Sequence, residues 1–182
     1  MGREKERIFD AYLVASARLG DGEALGALAR RWNGKLLAHA WRLLGDHEGA
    51  RDAVQESWGE MLRGFSRLRD DAAFAAWAYR IVSRRCARQV RTIQGQRRLA
   101  EESAAAASIE ASLVEPSSLD VDAVRRAIKT LPPDQQAAIA LFYLEDMSVA
   151  EVAVALDVPA GTVKTRLMHA RRKLRGALEG DE

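Results

Sequence analysis

Apolar residues recur every three to four positions through most of the chain, which is the period of a helix with one buried face. In one segment Ala50, Val54, Trp58, Met61 and Phe65 fall on a single face at this spacing. No convincing stretch alternates apolar and polar residues as a half-buried strand does. Alanine is abundant and proline is scarce, which also favours helices. The pattern therefore predicts an all-α fold.

Four helices are predicted in the first half, and local signals place their ends. Asp21 is suited to cap a second helix that runs to Leu44. Asn33-Gly34 could interrupt this helix. Asp46 is suited to cap the third helix, after Gly45 has ended the second. The apolar stripe of the fourth helix gives way to arginines beyond Val82.

Four more helices are predicted in the second half. Ser148 and Glu151 have the spacing of a capping box, which opens a short helix. Asp157 lies in the turn that follows, where Asp tolerates a left-handed backbone better than most residues. The short helix, the turn and the longer last helix have helix-turn-helix spacing. The predicted helices cover residues 121–131, 134–144, 148–156 and 160–178.

The segment 99–120 differs from both flanks. It contains acidic residues, a run of alanines between Ser103 and Ser108, and no Lys or Arg. Such a stretch has little to bury and is typical of a flexible linker, although the alanines could form a transient helix. The prediction is therefore two small helical domains, 1–98 and 121–182, joined by this linker.

Composition narrows the class of protein. Of 182 residues 48% are hydrophobic, which is enough for a packed core and excludes wholesale disorder. The single cysteine, Cys86, excludes an internal disulfide and a cysteine-rich zinc site. No run of about 18 apolar residues exists, and the N-terminal residues do not have the pattern of a secretory signal. We expect a soluble cytoplasmic protein without direct membrane insertion.

The last predicted helix has the chemistry of a DNA-binding element. No acidic residue occurs between Val158 and Leu178, whereas six residues there are basic. A basic face attracts phosphates, and small or polar residues early on the helix let its backbone approach base edges. The alternative is a solvated basic face on an ordinary helical hairpin. The candidate DNA-contacting residues are Gly161, Thr162, Lys164, Thr165, Arg166, Met168, His169 and Arg172.

Two further surfaces are left open by the pattern alone. A second basic run, from Arg84 to Arg98, follows the aromatic residues Phe74, Trp77 and Tyr79. Aromatic rings can stack on unpaired bases, but these rings could equally be core residues. On the third helix Asp52, Gln55 and Glu56 form an acidic-polar patch, which is either a solvated face or a docking surface for a basic partner.

Catalytic chemistry finds little support. His39, His47 and His169 are scattered, without the spacing of metal ligands. Arg85 and Arg88 could lower the pKa of Cys86, but no histidine shares its segment. No glycine-rich loop follows a predicted strand, so nucleotide binding is unsupported. The sequence predicts no enzyme, no metal, no cofactor and no small-molecule substrate.

The chain resembles bacterial RNA polymerase sigma factors of the extracytoplasmic-function type, within the sigma-70 family. The resemblance covers about residues 20 to 178 and includes an Asp-x-x-Gln-Glu signature in the second conserved region. Order, spacing and the intervening acidic linker all match the family. The matching stretches are Ala50–Trp58, Phe74–Ile81, Leu131-Pro132, Gly161–Leu167 and Ala170–Arg175.

The resemblance implies a role for each surface. Asp52, Gln55 and Glu56 would contact the coiled coil of the largest catalytic subunit of RNA polymerase. The helix from Ala160 would bind the promoter element about thirty-five bases upstream of the start. An anti-sigma factor would restrain the protein. The candidate contacts to the element about ten bases upstream are Trp77, Tyr79, Arg80, Arg84, Arg85 and Arg88.

Three residues depart from the family pattern. Arg84 stands where Asn is frequent, Pro159 where Ser often caps the recognition helix, and His169 where Arg is common. These differences predict an unusual promoter preference. Two alternatives to the sigma-factor interpretation remain: a stand-alone helix-turn-helix regulator, and a sigma-like decoy that sequesters an anti-sigma factor.

Overall fold

The computed structural model describes residues 2–68, 70–101, 124 and 126–179, and these residues are helical with no β-strand among them. No helix in this part of the chain is long and apolar enough to cross a membrane. Short 3-10 turns at Phe65–Arg67 and Asp71–Ala73 separate α3 from α4. The helices are α1 Gly2–Arg18, α2 Gly22–Leu44, α3 His47–Gly64, α4 Phe74–Glu101, α5 Pro133–Ile139, α6 Val149–Leu156 and α7 Ala160–Glu179.

The predicted caps of the first half are confirmed. The Asp21 carboxylate accepts hydrogen bonds from the backbone N–H groups of Glu23 and Ala24 at 2.9 and 3.0 Å. Asp46 caps α3 in the same way, and Gly45 ends α2 with a left-handed φ of 68°. The break left open at Asn33-Gly34 does not occur, because the flanking apolar residues pack continuously along α2.

The second half contains the predicted helix-turn-helix with one local difference. Ser148 and Glu151 form both hydrogen bonds of the capping box, and Asp157 has the expected left-handed backbone, with φ 55° and ψ 45°. The helix predicted at 134–144 changes at Ala140, where the chain continues as a π-helix to Leu144. The wider turn carries the chain away from the straight axis that periodicity alone suggests.

The first half is a helical core around α2, α3 and α4. Leu28, Leu36 and Met61 are fully buried, with Phe74 and Tyr79 from α4 packed against them. The ring of Trp32 meets the Phe74 ring edge-on at 5.2 Å between centroids. Because these side chains fill one face of each helix, their polar faces remain outside.

Buried apolar residues join α6 to α7 as the sequence predicts. Val152 of α6 and Val163, Leu167 and Ala170 of α7 are at most 1% exposed. The α7 face opposite Val163 and Leu167 therefore faces outward.

Of the apolar residues that align in the helix predicted at 121–131, Leu131 is buried but Val124 is 40% exposed.

The two halves pack against each other, an arrangement that the sequence did not specify. Helix α6 lies along α4, and the buried residues of both halves form one continuous cluster. Ion pairs connect Lys35 with Glu145 at 2.9 Å and Arg80 with Asp157 at 2.8 Å, and Arg7 also pairs with a carboxylate on α6.

Helix α4 continues three residues beyond the predicted boundary at 98, and the rest of the linker prediction lies outside the described residues.

Candidate functional site

Helix α7 presents a basic face to solvent because Val163, Leu167 and Ala170 are buried on its opposite side, which packs against α5 and α6. Lys164, Thr165 and Arg172 are exposed, and Met168 is 55% exposed on the same side. Gly161 opens this face, with no heavy atom within 4 Å of the place a Cβ would occupy. A duplex backbone can therefore approach the first turn of α7 closely.

Two candidate residues of α7 are held by neighbours. The Nε of Arg166 lies 3.0 Å from an oxygen of Asp134, the acidic residue in the first turn of α5. Arg172 lies 3.2 Å from Nδ1 of His169, one helical turn earlier. Arg166 therefore links α7 to α5, while His169 and Arg172 lie in contact on the outer face.

Three arginines of α4 reach the same region as α7. Arg84, Arg88 and Arg91 are exposed and line a groove of about 630 Å³ that α4 shares with the helix-turn-helix. Arg166 completes the basic lining. The structure thus brings together two basic runs that lie about 80 residues apart in sequence.

Trp77 lies at the edge of the core with one face packed. Its ring meets Phe65 edge-on at 6.0 Å between centroids. A Cβ added at Gly64 would come within 2.9 Å of the Trp77 ring, so this glycine is required for the ring's position. The ring also lines a groove of about 650 Å³ beside Arg80 and Val154. Trp77 therefore combines a core contact with an accessible edge.

Tyr79 has a different position from the one the sequence predicts. It is 1% exposed, with its ring 5.0 Å from His39 and 5.7 Å from Trp32. Burial raises the pKa of its phenol, so it stays neutral. In this arrangement Tyr79 is a core residue and cannot touch DNA, and the aromatic part of the candidate surface reduces to Trp77.

The acidic-polar patch on α3 is exposed. Asp52, Gln55 and Glu56 all lie on the solvent side, while Ala53 and Val54 between them are buried. A protein partner can therefore reach these three side chains without any rearrangement of α3.

Arg85 does not lie with the other arginines of α4. Its guanidinium pairs with Glu56 at 2.8 Å and with Glu60 at 3.1 Å, both on α3. Sequence reasoning missed Glu60, although its position four residues after Glu56 places both on one side of a helix. The structure thus joins a predicted DNA contact to a predicted polymerase contact.

The Cys86 thiol and the His39 imidazole are both buried, which removes them from the candidate reactive groups. Burial raises the pKa of the Cys86 thiol to about 12, so the nearby arginines do not activate it. Burial, with a smaller effect of the Arg42 charge, lowers the pKa of His39 to about 3. His39 Nε2 lies 2.9 Å from the Ser83 hydroxyl, which fixes the imidazole between α2 and α4. Both groups are parts of the core.

Comparison with known proteins identifies both halves. Family models described as Sigma-70 region 2 and Sigma-70 region 4 match residues 28–96 and 122–174. The chain is 33% identical to the ECF RNA polymerase sigma factor SigM of Mycobacterium tuberculosis, over 91% of this chain and 82% of that protein. It is 30% identical to the ECF RNA polymerase sigma-E factor of Haemophilus influenzae, over 96% and 97%.

A solved structure has the same fold. The sigma factor RpoE of Bartonella quintana, crystallised with the anti-sigma factor NepR, superposes with a TM-score of 0.67 at 23% identity. The match covers 87% of this chain and 98% of that one. The helical architecture is therefore that of a sigma factor across most of the chain.

Proposed function

Because the chain belongs to the extracytoplasmic-function sigma factors of the sigma-70 family, we propose that it binds core RNA polymerase in the cytoplasm and directs it to specific promoters. One observation carries this proposal. An exposed acidic-polar patch on α3 and an exposed basic face on α7 occur in the two halves that match sigma-70 regions 2 and 4. It acts as a specificity subunit and not as an enzyme.

The α3 patch is the polymerase contact. Asp52, Gln55 and Glu56 supply two carboxylates and an amide within two turns of one helix. Such a face complements a basic coiled-coil surface in charge, and complementary charge steers and orients association. The buried residues between them hold the backbone of the patch rigid, so little ordering is required on binding.

The promoter contacts lie on α4 and α7. Lys164, Thr165 and Met168 face outward from the recognition helix and are best placed to reach base edges of the upstream element. Arg80 supplies charge beside the accessible edge of Trp77, where a strand with unpaired bases would stack, and Arg84 and Arg88 supply charge in the neighbouring groove of α4. The predicted DNA-binding set therefore loses Tyr79, which is buried, and Arg85, which pairs with carboxylates on α3, and keeps its other basic residues.

The packed arrangement of the two halves cannot contact both promoter elements. Elements about ten and thirty-five bases upstream lie about 85 Å apart on a straight duplex, at about 3.4 Å per base pair. A folded chain of this length has a radius of gyration of only about 16 Å. Polymerase must hold α4 and α7 apart, and each weak DNA contact then reinforces the other.

The relative crystallised with NepR supports control by an anti-sigma factor. An inhibitor that binds both halves would favour the packed arrangement over the separated one. Because a ligand shifts an equilibrium only by its differential affinity for the two states, such an inhibitor must bind the packed form more tightly than the separated form.

Reconstituted transcription tests the proposed function. Purified protein with cognate core polymerase should give a promoter-specific run-off transcript, and neither component alone should. The double substitution of Asp52→Ala and Glu56→Ala should lower core affinity at least tenfold, because it removes both carboxylates of the patch. The matched control is Glu23→Ala, which removes an exposed carboxylate on α2 and should leave core affinity unchanged.

A gel shift without polymerase separates the alternatives. Tight, sequence-specific binding of the isolated protein to duplex DNA would indicate a stand-alone regulator. Binding to an anti-sigma factor without any promoter-specific transcription would indicate a decoy. The sigma-factor proposal requires specific DNA binding that depends on core polymerase.

A further inference from the structure

Arg85 lies between two carboxylates on a neighbouring helix. One guanidinium nitrogen is 2.8 Å from Glu56 and the other is 3.1 Å from Glu60. The Arg85 side chain is only 26% exposed, whereas that of Glu56 is 59% exposed. The guanidinium is thus covered by the acidic residues that it holds, and Glu56 keeps an accessible side.

The spacing of the two glutamates explains why a cation is needed there. Glu56 and Glu60 are four residues apart on α3, where two like charges repel and destabilise a helix. The planar fork of an arginine can bind two carboxylate oxygens at once, which a lysine ammonium cannot do with the same geometry. Arg85 therefore offsets the repulsion between the two glutamates and holds their carboxylates in one orientation.

The same contact removes Arg85 from the DNA-facing set. Arg84 and Arg88 line the groove beside the helix-turn-helix, but Arg85 does not. Its direction on α4 is towards α3 and the patch formed by Asp52 and Glu56. The sequence grouped these arginines by proximity along the chain, and the structure separates them by direction.

We propose that Arg85 is a positioning residue of the polymerase-docking surface, and that Glu60 extends that surface by one helical turn. This inference rests on the proposed function of the α3 patch. A free glutamate loses rotamer freedom when a partner binds it, and that loss weakens binding. Arg85 restrains Glu56 beforehand and so reduces the loss.

Affinity for core polymerase, measured with the full chain, tests the assignment. Arg85→Gln should weaken core binding about two- to tenfold, which is the effect of releasing one rotamer-rich side chain. Arg85→Lys should recover only part of the loss because it restores charge without the fork. The control is Arg30→Gln, an exposed arginine on α2, which should leave core affinity unchanged.

A double-mutant cycle identifies the partner. The effects of Arg85→Gln and Glu56→Gln should be strongly non-additive, because each removes the same interaction. Glu60→Gln should show a smaller effect that also depends on Arg85. Thermal unfolding of every variant checks that a loss of affinity does not come from a loss of fold.

The salt dependence of promoter binding by saturated holoenzyme gives an independent readout. A phosphate contact contributes about one unit to the slope of log affinity against log salt. Arg85→Gln should leave this slope unchanged, whereas Arg88→Gln should reduce it. A reduced slope for Arg85→Gln, or a core affinity within error of wild type, overturns the assignment. If Glu56→Gln also has no effect on core binding, then the proposed docking patch itself is wrong.

Discussion

His39 is a buried imidazole between α2 and α4, and it illustrates how a single residue sets a pH dependence. It is completely buried beside Tyr79, and its hydrogen-bond partner is the hydroxyl of Ser83. Burial disfavours the charged imidazolium and lowers the pKa to about 3. The folded protein therefore keeps this ring neutral at every pH near neutrality.

The sign of the resulting pH effect follows from linkage. An unfolded histidine titrates near a pKa of about 6.5. Between pH 6.5 and about 3, His39 is therefore protonated in the unfolded chain but stays neutral in the folded protein. The contribution of His39 to stability is complete above pH 6.5 and falls by at most about 1.4 kcal/mol per pH unit below it.

Urea denaturation between pH 7 and pH 5 measures this contribution. His39→Gln keeps a polar side chain that can bond Ser83 but does not titrate. The wild-type free energy of unfolding should fall more steeply with decreasing pH than that of the variant. Parallel curves would show that His39 is protonated in the fold or accessible to water.

Helix α6 is the element that connects the helix-turn-helix to the rest of the molecule. Its N-terminus is fixed by the capping box of Ser148 and Glu151. Burial opposes ionisation of Glu151, but the hydrogen bonds from Ser148 and the charge of Arg7 outweigh it and lower the pKa of this carboxyl. One acidic residue thus serves both the cap and the contact with α1.

Removal of the cap tests the contribution of α6. Ser148→Ala should lower the free energy of unfolding by about 1 kcal/mol, because the backbone N–H of Glu151 loses its partner, the Ser148 hydroxyl. Ser148→Thr keeps the hydroxyl and should retain most of the stability. Ser66→Ala, at an exposed position after α3, is the control in chemical denaturation. Equal stability of the alanine and threonine variants would contradict the role of the cap.

The whole molecule is an assembly of two packed halves, and the proposed function requires them to separate. The ion pair between Arg80 and Asp157 is half-exposed, as is the pair between Arg7 and Glu151, and such surface pairs contribute little individually, about 0 to 1 kcal/mol each. Apolar contacts between α4 and α6 supply the remaining stabilisation of the packed arrangement. A contact of this kind is compatible with the opening by polymerase that the proposed function requires.

Energy transfer between two dyes follows this opening. Cysteines introduced by Glu23→Cys on α2 and Gly176→Cys on α7 are exposed, whereas the native Cys86 is buried with a raised pKa and should not label. Addition of core polymerase should lower the transfer efficiency, as the halves move towards the separation of about 85 Å that the promoter spacing requires. Unchanged efficiency in an active complex would contradict the need for separation.

Local sequence spacing determined the helices, their caps and the faces they present. Asp21, Asp46 and Ser148 act on backbone groups two or three residues away, so their roles depend on no distant part of the chain. The basic face of α7 follows in the same way, because the buried positions of one helix define its exposed ones.

Tertiary packing decided the features that depend on a neighbour far away in sequence. Tyr79 is buried because Trp32 and His39 of α2 meet it, and Arg85 turns to α3 because two carboxylates lie there. An arginine's position in a basic run does not reveal which helix lies opposite it. The contact between α4 and α6 likewise joins segments about 70 residues apart, so only the folded chain could show that the two halves are packed together.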